Sequence, residues 1–344
     1  MLEEVKKKST PRNLWGIDLL EYLNTLSDEV DWVAHGFIAE NSINMLYASD
    51  GIGKSIIGVQ AALEMASGLP VFKSFHVERP RKVIYCLAER SIKEPLKRIK
   101  RMMQDEDFSE NKIKLENFTI TTEFQGRDLS NQSQADALMD ILHKHIKVMG
   151  GVDDIFFDPL YALVRKDLKT DEAINSVFSF FRRIGSELNA NVFFIHHENR
   201  GTRQQGEEER TGQDYYGNKF ISALCTAVWH MMKDKSQDSF KTFIINEKDS
   251  ESCLVSKMSL DYNPEFNTVR ANISSSPKSK EILTHAFLAK MKSDNKEFNI
   301  ETFFKETGIE MHRASQRRMF ADLIKKGKIR NISQTGTKGI YVSL

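Results

Sequence analysis

The sequence predicts an α/β fold: a mostly parallel sheet with an antiparallel extension, followed by a small α+β module. Three observations predict it. Short apolar runs alternate with helical patterns as far as residue 197. After residue 225 four strand-like runs follow one another across short polar turns. Beyond a small polar stretch at 274–280, two helical patterns and two last short runs complete the chain.

The elements read in order as follows. IDLLEYLNTL, near the start, has the spacing of an amphipathic helix. INMLYAS (43–49) is a strand, and a helix follows from near Gly53. KVIYCLA (82–88) and NFTITT (117–122) are strands, each followed by a helical pattern. DIFFD (154–158) is a strand, EAINSVFSFFRRIGSEL a helix, and NVFFIHH (191–197) a strand again. Such alternation builds a parallel sheet covered on both faces. AVWHMM, KTFIIN, CLVSKMSL and TVRANIS then read as the antiparallel extension. SSSPKSK (274–280) reads as a linker. The expected units are therefore an N-terminal arm (1–30), a core (31–273), the linker (274–280) and a C-terminal unit (281–344).

Composition narrows the class. The 344 residues suffice for one large core and a small module, and 40% hydrophobic with 28% charged residues is ordinary for a globular chain. Three cysteines, Cys86, Cys225 and Cys253, have no metal spacing, and an odd count argues against a disulfide framework. A cytoplasmic protein is expected, since MLEEVKKKST lacks the apolar core of a signal peptide and no apolar run could span a bilayer. Charge is uneven. Residues 278–344 hold 14 Lys/Arg against seven Asp/Glu, and the remainder 35 against 41. A basic tail on an acidic body suits a nucleic-acid-facing module, or else a lysine-rich solvated surface.

Glycines weaken strands and helices, so Gly51 and Gly53 at a strand–helix junction call for a reason. Ala48, Ser49, Asp50, Gly51, Ile52, Gly53, Lys54 and Ser55, with Ile56 next, fit a phosphate-binding loop with Ala48 in place of its usual first glycine. There the backbone amides and the helix N-terminus converge on phosphate, Lys54 reaches the β and γ phosphates, and the Ser55 hydroxyl binds Mg²⁺. Asp158 ends a buried apolar strand, where a carboxylate could hold the Mg²⁺ shell opposite Ser55 or cap the following turn. Glu89 ends another strand and reads as a general base or as a helix cap. His196 and His197 end a third, as a γ-phosphate contact or as a satisfied pair.

These marks, in this order, resemble RecA-like ATPases, and most closely the RepA-like hexameric replicative helicases and their AAA-type relatives, over about Asp31 to Leu260. The resemblance implies a ring-forming, Mg²⁺-dependent ATPase that moves on single-stranded nucleic acid. It implies Lys54, Glu89, Asp158 and His197 as the ATP-site residues. Lys248, in FIINEKDS, is similar to a family lysine that reaches a neighbouring subunit's γ-phosphate. The family's trans-acting arginine has no counterpart here, since Thr226 falls near its place. The polar stretch 198–217 corresponds to a channel loop. Arg200, Arg203 and Arg210 would contact phosphates there and Tyr215 or Tyr216 would stack on bases, although Glu207–Glu209 argues against a purely basic grip.

The C-terminal stretch reads as a winged helix: IETFFKETG ending at Gly308, a second helix over MHRASQRRMFADLIKKGK, and IRNIS and GIYVSL around the turn QTGTK. Met311, Ala314, Met319, Leu323 and Ile324 would face inward. Arg313, Gln316, Arg317 and Lys338 would contact duplex DNA, unless the module docks a protein. The function expected is a RepA-like helicase or helicase-like translocase that uses ATP and Mg²⁺, a homo-oligomer with a hexamer favoured, working on DNA and not on membranes. The alternative is an ATP-gated DNA-binding or helicase-loading factor with little unwinding.

Overall fold

The architecture follows from a row of five-to-seven-residue apolar segments that cannot stay in water. It was obtained as a computed structural model, which describes residues 17–25, 30–89, 91–108, 112–198, 215–217, 219–233, 242–250, 255–273, 277–333 and 339–344. A short helix α1 (Ile17–Leu23) precedes a two-stranded turn, β1 (Trp32–Ala34) and β2 (Ile38–Ala39). Then come β3 (Ile43–Ala48), α2 (Lys54–Ser67), β4 (Val83–Leu87), α3 (Lys93–Met102), β5 (Phe118–Thr121), α4 (Gln132–Met149), β6 (Asp154–Asp158), α5 (Asp171–Arg183) and β7 (Asn191–His197). A short α6 (Phe220–Leu224) leads into β8 (Ala227–Lys233), β9 (Thr242–Asp249), β10 (Lys257–Asn263) and β11 (Thr268–Ile273). The C-terminal unit holds α7 (Pro277–Ser293), α8 (Ile300–Thr307), α9 (Arg313–Lys325), β12 (Ile329–Asn331) and β13 (Tyr341–Ser343). Among the described residues no helix is long and apolar enough to cross a membrane.

Nine strands form one sheet in the order β11-β10-β9-β8-β3-β7-β6-β4-β5. From β8 to β5 every pairing is parallel, and β8 to β11 pair antiparallel, so the sheet is the expected parallel body with its extension. One apolar cluster packs α2 and α3 on one face, and a second packs α4 and α5 on the other. The pleat decides which residue joins which. Tyr85, Phe156 and Phe193 form a stacked ladder beneath α2, with centroids 5.6 and 4.5 Å apart. Phe157 and Phe194, one residue along, meet Phe181 of α5. Each buried phenylalanine contributes about 2–3 kcal/mol of transfer free energy.

The edge where the parallel strands begin is held by a buried ionic clasp. The Arg81 guanidinium donates to both oxygens of Asp154, at 2.6 and 3.1 Å, and to Glu40. Asn191 donates to Asp154 at 2.7 Å, and its own side-chain oxygen accepts from the Ser42 amide. These residues precede or open β4, β6, β7 and β3, so one cluster aligns four strand starts. Burial works against the charge on Arg81, but Asp154 and Glu40 outweigh it and hold the guanidinium protonated.

The C-terminal unit departs from expectation at its entry. The stretch 274–280 is not all linker, because α7 already begins at Pro277, a residue suited to the first helical turn. Opposite sides of α7 serve two cores. Ile282 belongs to the α2-side cluster, whereas Phe287, Leu288 and Met291 join Phe303, Phe320 and Tyr341. Gly308 ends α8 in the left-handed region, as expected, and Asn299 caps its start. Of the residues expected to face inward, Met311, Met319 and Leu323 pack against the C-terminal core, and Ala314 and Ile324 do not. Phe320 is the buried residue, flanked by half-buried Met319 and Leu323, while Ala314 and Ile324 are exposed. In the extension, β10 starts at Lys257 rather than Cys253 and runs on through DYN, because its ladder with β11 continues to Asn263. The helix after β6 ends at Arg183, and Ile184–Leu188 form a wider turn stopped by left-handed Asn189.

Three histidines, His285 of α7 and two from connecting segments, meet where α7 lies on the core. The rings of His35 and His285 stack at 3.7 Å, and His76 lies 5.4 Å from His285. Burial, reinforced by His35, His76 and Lys328, pushes the His285 pKa down to about 3.

Two outcomes test these contacts. Arg81→Leu strands a buried Asp154 carboxylate and is expected to cost about 3–5 kcal/mol in urea unfolding. The folded state excludes from His285 a proton that the unfolded chain accepts near pH 6.5, so stability falls as pH drops from 6.5 toward about 3. His285→Phe keeps the ring stack and cannot titrate. The loss of urea midpoint between pH 7 and pH 5 is therefore expected to shrink in that variant.

Candidate active site at the carboxyl edge of the sheet

Parallel strands end at one edge, so residues that close β3, β7, β6 and β4 become neighbours however far apart they stand in sequence. The registers Ala48↔His197, Phe157↔Phe194 and Leu87↔Asp158 bring the four ends to one edge, with β3 and β7 reaching about two residues further. The edge gathers Ser49 to Ile56, His196 and His197, Asp158 and Glu89.

Gly51 and Gly53 have φ of 76° and 104°, a region that costs an L side chain strain. They turn the chain sharply from β3 into α2. Gly53 caps α2 without any side-chain hydrogen bond, and the first turn of α2 carries no acidic residue. The positive end of the helix thus faces the loop with no built-in anion. Lys54 is buried, and its ammonium donates to the carbonyls of Ala48 at 2.8 Å and Ser49 at 2.7 Å. Ser55 and Ile56 open α2, with the Ile56 amide bonded to the Gly53 carbonyl at 2.9 Å.

Asp158 is buried at the end of β6 and accepts a hydrogen bond from the Tyr85 hydroxyl at 2.8 Å. Glu89 lies just past β4 and is exposed, behind Ala88, whose amide bonds the Asp158 carbonyl at 2.9 Å. His197 pairs through Nδ1 with Asp50 and meets the Tyr161 ring edge-on at 4.6 Å. Burial and then the Lys54 charge lower its pKa, against Asp50 and Glu89, so all four groups lie within electrostatic reach. His196 is buried, and burial brings its pKa down to about 4. It is therefore a neutral donor from Nε2 to the Tyr216 carbonyl.

Other expected residues fall elsewhere. Lys248 is not in this site. β9 runs antiparallel to β8, which places Lys248 opposite Val228, toward the starting edge of the sheet. Its ammonium caps the end of α6, donating to the carbonyls of Ser222, Ala223 and Cys225 at 2.6–2.8 Å. Tyr215 is not an exposed stacking platform. It is buried, meets Tyr47 edge-on at 5.4 Å and donates to the Lys219 carbonyl at 2.9 Å. Tyr216 is the exposed one, with the Lys169 ammonium 5.8 Å from its ring centre. Thr226 binds the backbone at the start of β3. Arg313 and Arg317 lie one turn apart on the exposed face of α9, joined by exposed Arg318. Gln316, by contrast, donates to the Met311 carbonyl at 3.1 Å. Arg200, Arg203, Arg210 and Lys338 lie outside the described residues.

Sequence reasoning missed a buried polar chain behind the loop. Glu198, directly after His197, accepts from the Ser49 hydroxyl and lies 3.6 Å from His230. His230 lies 3.2 Å from Glu247, which accepts from the Tyr47 hydroxyl at 2.7 Å. Tyr47 stacks on His230 at 4.2 Å. Burial opposes charge on His230, but Glu198 and Glu247 outweigh it and raise its pKa. Glu247 reaches this cluster because the β8–β9 register shifts beside it, and such a shift re-aims a side chain. Glu198 also pairs with Tyr215, so the chain leaves for 199–214 and returns at one point.

Comparison with known proteins agrees with this geometry. The core is a RecA-like ATPase fold. A DnaB-like replicative helicase, solved in a study of its interactions with primase, is similar with a TM-score of 0.55 at 14% identity. That match covers 73% of this chain and 66% of the helicase, so this chain spans just under two thirds of that relative. A solved ATPase domain matches with a TM-score of 0.54 and 14% identity over 73% of this chain and 95% of the domain. A KaiC-like protein from Pyrococcus horikoshii OT3 gives a TM-score of 0.49 at 11% identity, over 71% of this chain and all of that one. No curated protein matches the sequence. A family model described as an AAA domain matches residues 17–203, more than half of the chain. The chain belongs to that family.

Proposed function

We propose that the protein is an Mg²⁺-dependent ATPase acting on DNA, a RepA-like helicase or helicase-like translocase. The observation that carries this reading is the convergence of an uncapped helix N-terminus, Lys54, Ser55, Asp158, Glu89 and His197 on one sheet edge. The residues fit ATP with Mg²⁺: the end of α2 has no acid of its own, and the buried Asp158 carboxylate closes a strand at the same edge of the sheet. Bound Mg²⁺ would neutralise charge on the phosphates. The loop amides of Ser49 to Ile56 and Lys54 hold those phosphates, Lys54 turning from two carbonyls toward them. Ser55 and Asp158 hold the ion. Glu89, the exposed carboxylate of the set, takes the proton of the attacking water. His197 donates Nδ1–H to Asp50, and its lowered pKa favours the neutral ring, so Nε2 would donate to a terminal phosphate only once the ring gains a proton there. Its partner His196 ties the strand end to Tyr216, so changes at the phosphate reach both feet of 199–214.

In this reading residues 31–273 are the motor and 1–30 an arm. The C-terminal unit is a winged helix, entered through α7, with Arg313 and Arg317 of α9 turned to duplex DNA and Lys338 on the wing. Arg200, Arg203 and Arg210 grip a single strand, and the protein works in the cytoplasm as a homo-oligomer, a hexamer being favoured. One observation favours the second reading, an ATP-gated DNA-binding or helicase-loading factor. Lys248, the remaining candidate for a cation supplied to a neighbour, is held by three carbonyls. Without such a cation, hydrolysis would be slow.

Lys54→Ala is expected to abolish binding of a fluorescent ATP analogue, and Glu89→Gln to retain binding while hydrolysis falls by about 10²–10⁴-fold. Unchanged turnover in either variant removes that residue's role. ATPase assays across protein concentration, with and without single strands, separate a motor from a switch: only a motor is stimulated by both. Arg313→Glu with Arg317→Glu is expected to weaken duplex binding and flatten its salt dependence by about one to two contacts, with basal ATPase unchanged. An unaltered salt slope would make the C-terminal unit a protein-docking module.

A further inference from the structure

Asp158 does not stand alone at the end of β6. Tyr85 lies on β4 two residues before the partner of Asp158, on the same face of the sheet. Its ring is clamped in the ladder with Phe156 and Phe193 and is fully buried. The hydroxyl therefore has one course, along the sheet to the Asp158 carboxylate at 2.8 Å. The helix above leaves room for it. Gly58 of α2 sits where a Cβ would come within 2.9 Å of the Tyr85 hydroxyl and 2.8 Å of Ile195 Cδ1. Gly58 has an ordinary helical φ, so no backbone constraint calls for glycine there. A glycine inside a helix costs about 1 kcal/mol relative to alanine, and here the space beneath it explains its presence.

We propose that Tyr85 is a positioning residue that fixes the Asp158 carboxylate for a divalent cation, and that Gly58 keeps the passage its hydroxyl needs. The proposal rests on the reading of Asp158 as a cation-holding residue. A neutral donor on one carboxylate oxygen sets the rotation of the group, so the cation meets an oriented carboxylate. The aromatic ladder extends that control across β4, β6 and β7. Because Gly58 lies one turn beyond Ser55 on the same helix, α2 brings both the hydroxyl opposite Asp158 and the gap for Tyr85.

The test titrates Mg²⁺ against the full chain holding a fluorescent ATP analogue. Tyr85→Phe keeps the ring and removes only the hydroxyl. Analogue affinity in EDTA is expected to stay as in the wild type, while the Mg²⁺ midpoint rises roughly tenfold to hundredfold, as for loss of one hydrogen bond to a charged acceptor. Gly58→Ala is expected to shift the midpoint in the same direction, and to add nothing in the Tyr85→Phe background. An unchanged Mg²⁺ midpoint in Tyr85→Phe overturns the proposal. So does an equal loss of affinity in EDTA, which would mark a general packing role. Asp158→Asn separates the two levels. If it moves the midpoint and Tyr85→Phe does not, only the positioning role fails. If neither moves it, Asp158 is not a cation holder, and the reading beneath the proposal fails too.

Discussion

The structure depends first on the clasp of Arg81 with Asp154, Glu40 and Asn191. Parallel strands have no hairpins to set their register, and each one-residue slip would turn its side chains to the other face. A charged cluster with only one good arrangement sets it instead. Its members lie at the start of β3, β4, β6 and β7, and the same strands end at the candidate site. Strands of five to seven residues then carry that alignment from one edge to the other. The geometry at Lys54, Asp158, Glu89 and His197 is in this sense fixed about five residues away from the chemistry. Desolvating the clasp is costly, and its full set of bidentate bonds is what compensates.

Much of this was legible before the structure. β3 with its glycines, and DIFFD ending in Asp158, announce themselves because a buried parallel strand is a continuous apolar run, and the residue that stops it stands at the carboxyl edge. The rule does not extend to Lys248, which resemblance alone marked for a neighbour's phosphate: β9 is antiparallel, so the residue lies toward the starting edge of its own sheet. Strand direction decides which edge a residue occupies, and no local pattern states it. Of Tyr215 and Tyr216, the alternatives for a stacking ring, Tyr215 is the buried one. It follows a polar stretch, but its pairing with Glu198 returns it to the core. The start of α7 looked like a linker because Ser, Pro and Lys suit both a linker and a first helical turn. The parity that puts Tyr85 on the face of Asp158 was present in the sequence, and needed only the pairing of β4 with β6 to become visible.

The chain Ser49–Glu198–His230–Glu247–Tyr47 was beyond sequence reasoning, since its members come from or beside four strands, β3, β7, β8 and β9. Its electrostatics are unusual for a core. One imidazole stands between two carboxylates that favour its protonated form, beneath a loop shaped for phosphate. The extra negative charge lies behind Ser49, while the Lys54 ammonium occupies the loop itself. The loop is thus held between a fixed anion below and a cation within. That arrangement favours one loop conformation, a condition for amides to bind phosphate without first reorganising.

The helix α7 has a mechanical consequence. It spans 17 residues, about 25 Å of unbroken rod, with Ile282 seated in one core and Phe287, Leu288 and Met291 in the other. A helix packed into two cores couples a tilt at one end to a displacement at the other. A tilt of about 10° at the core end would sweep the far end through roughly 4 Å, from the length of the rod alone. The C-terminal unit is therefore geared to the ATPase core rather than tethered to it.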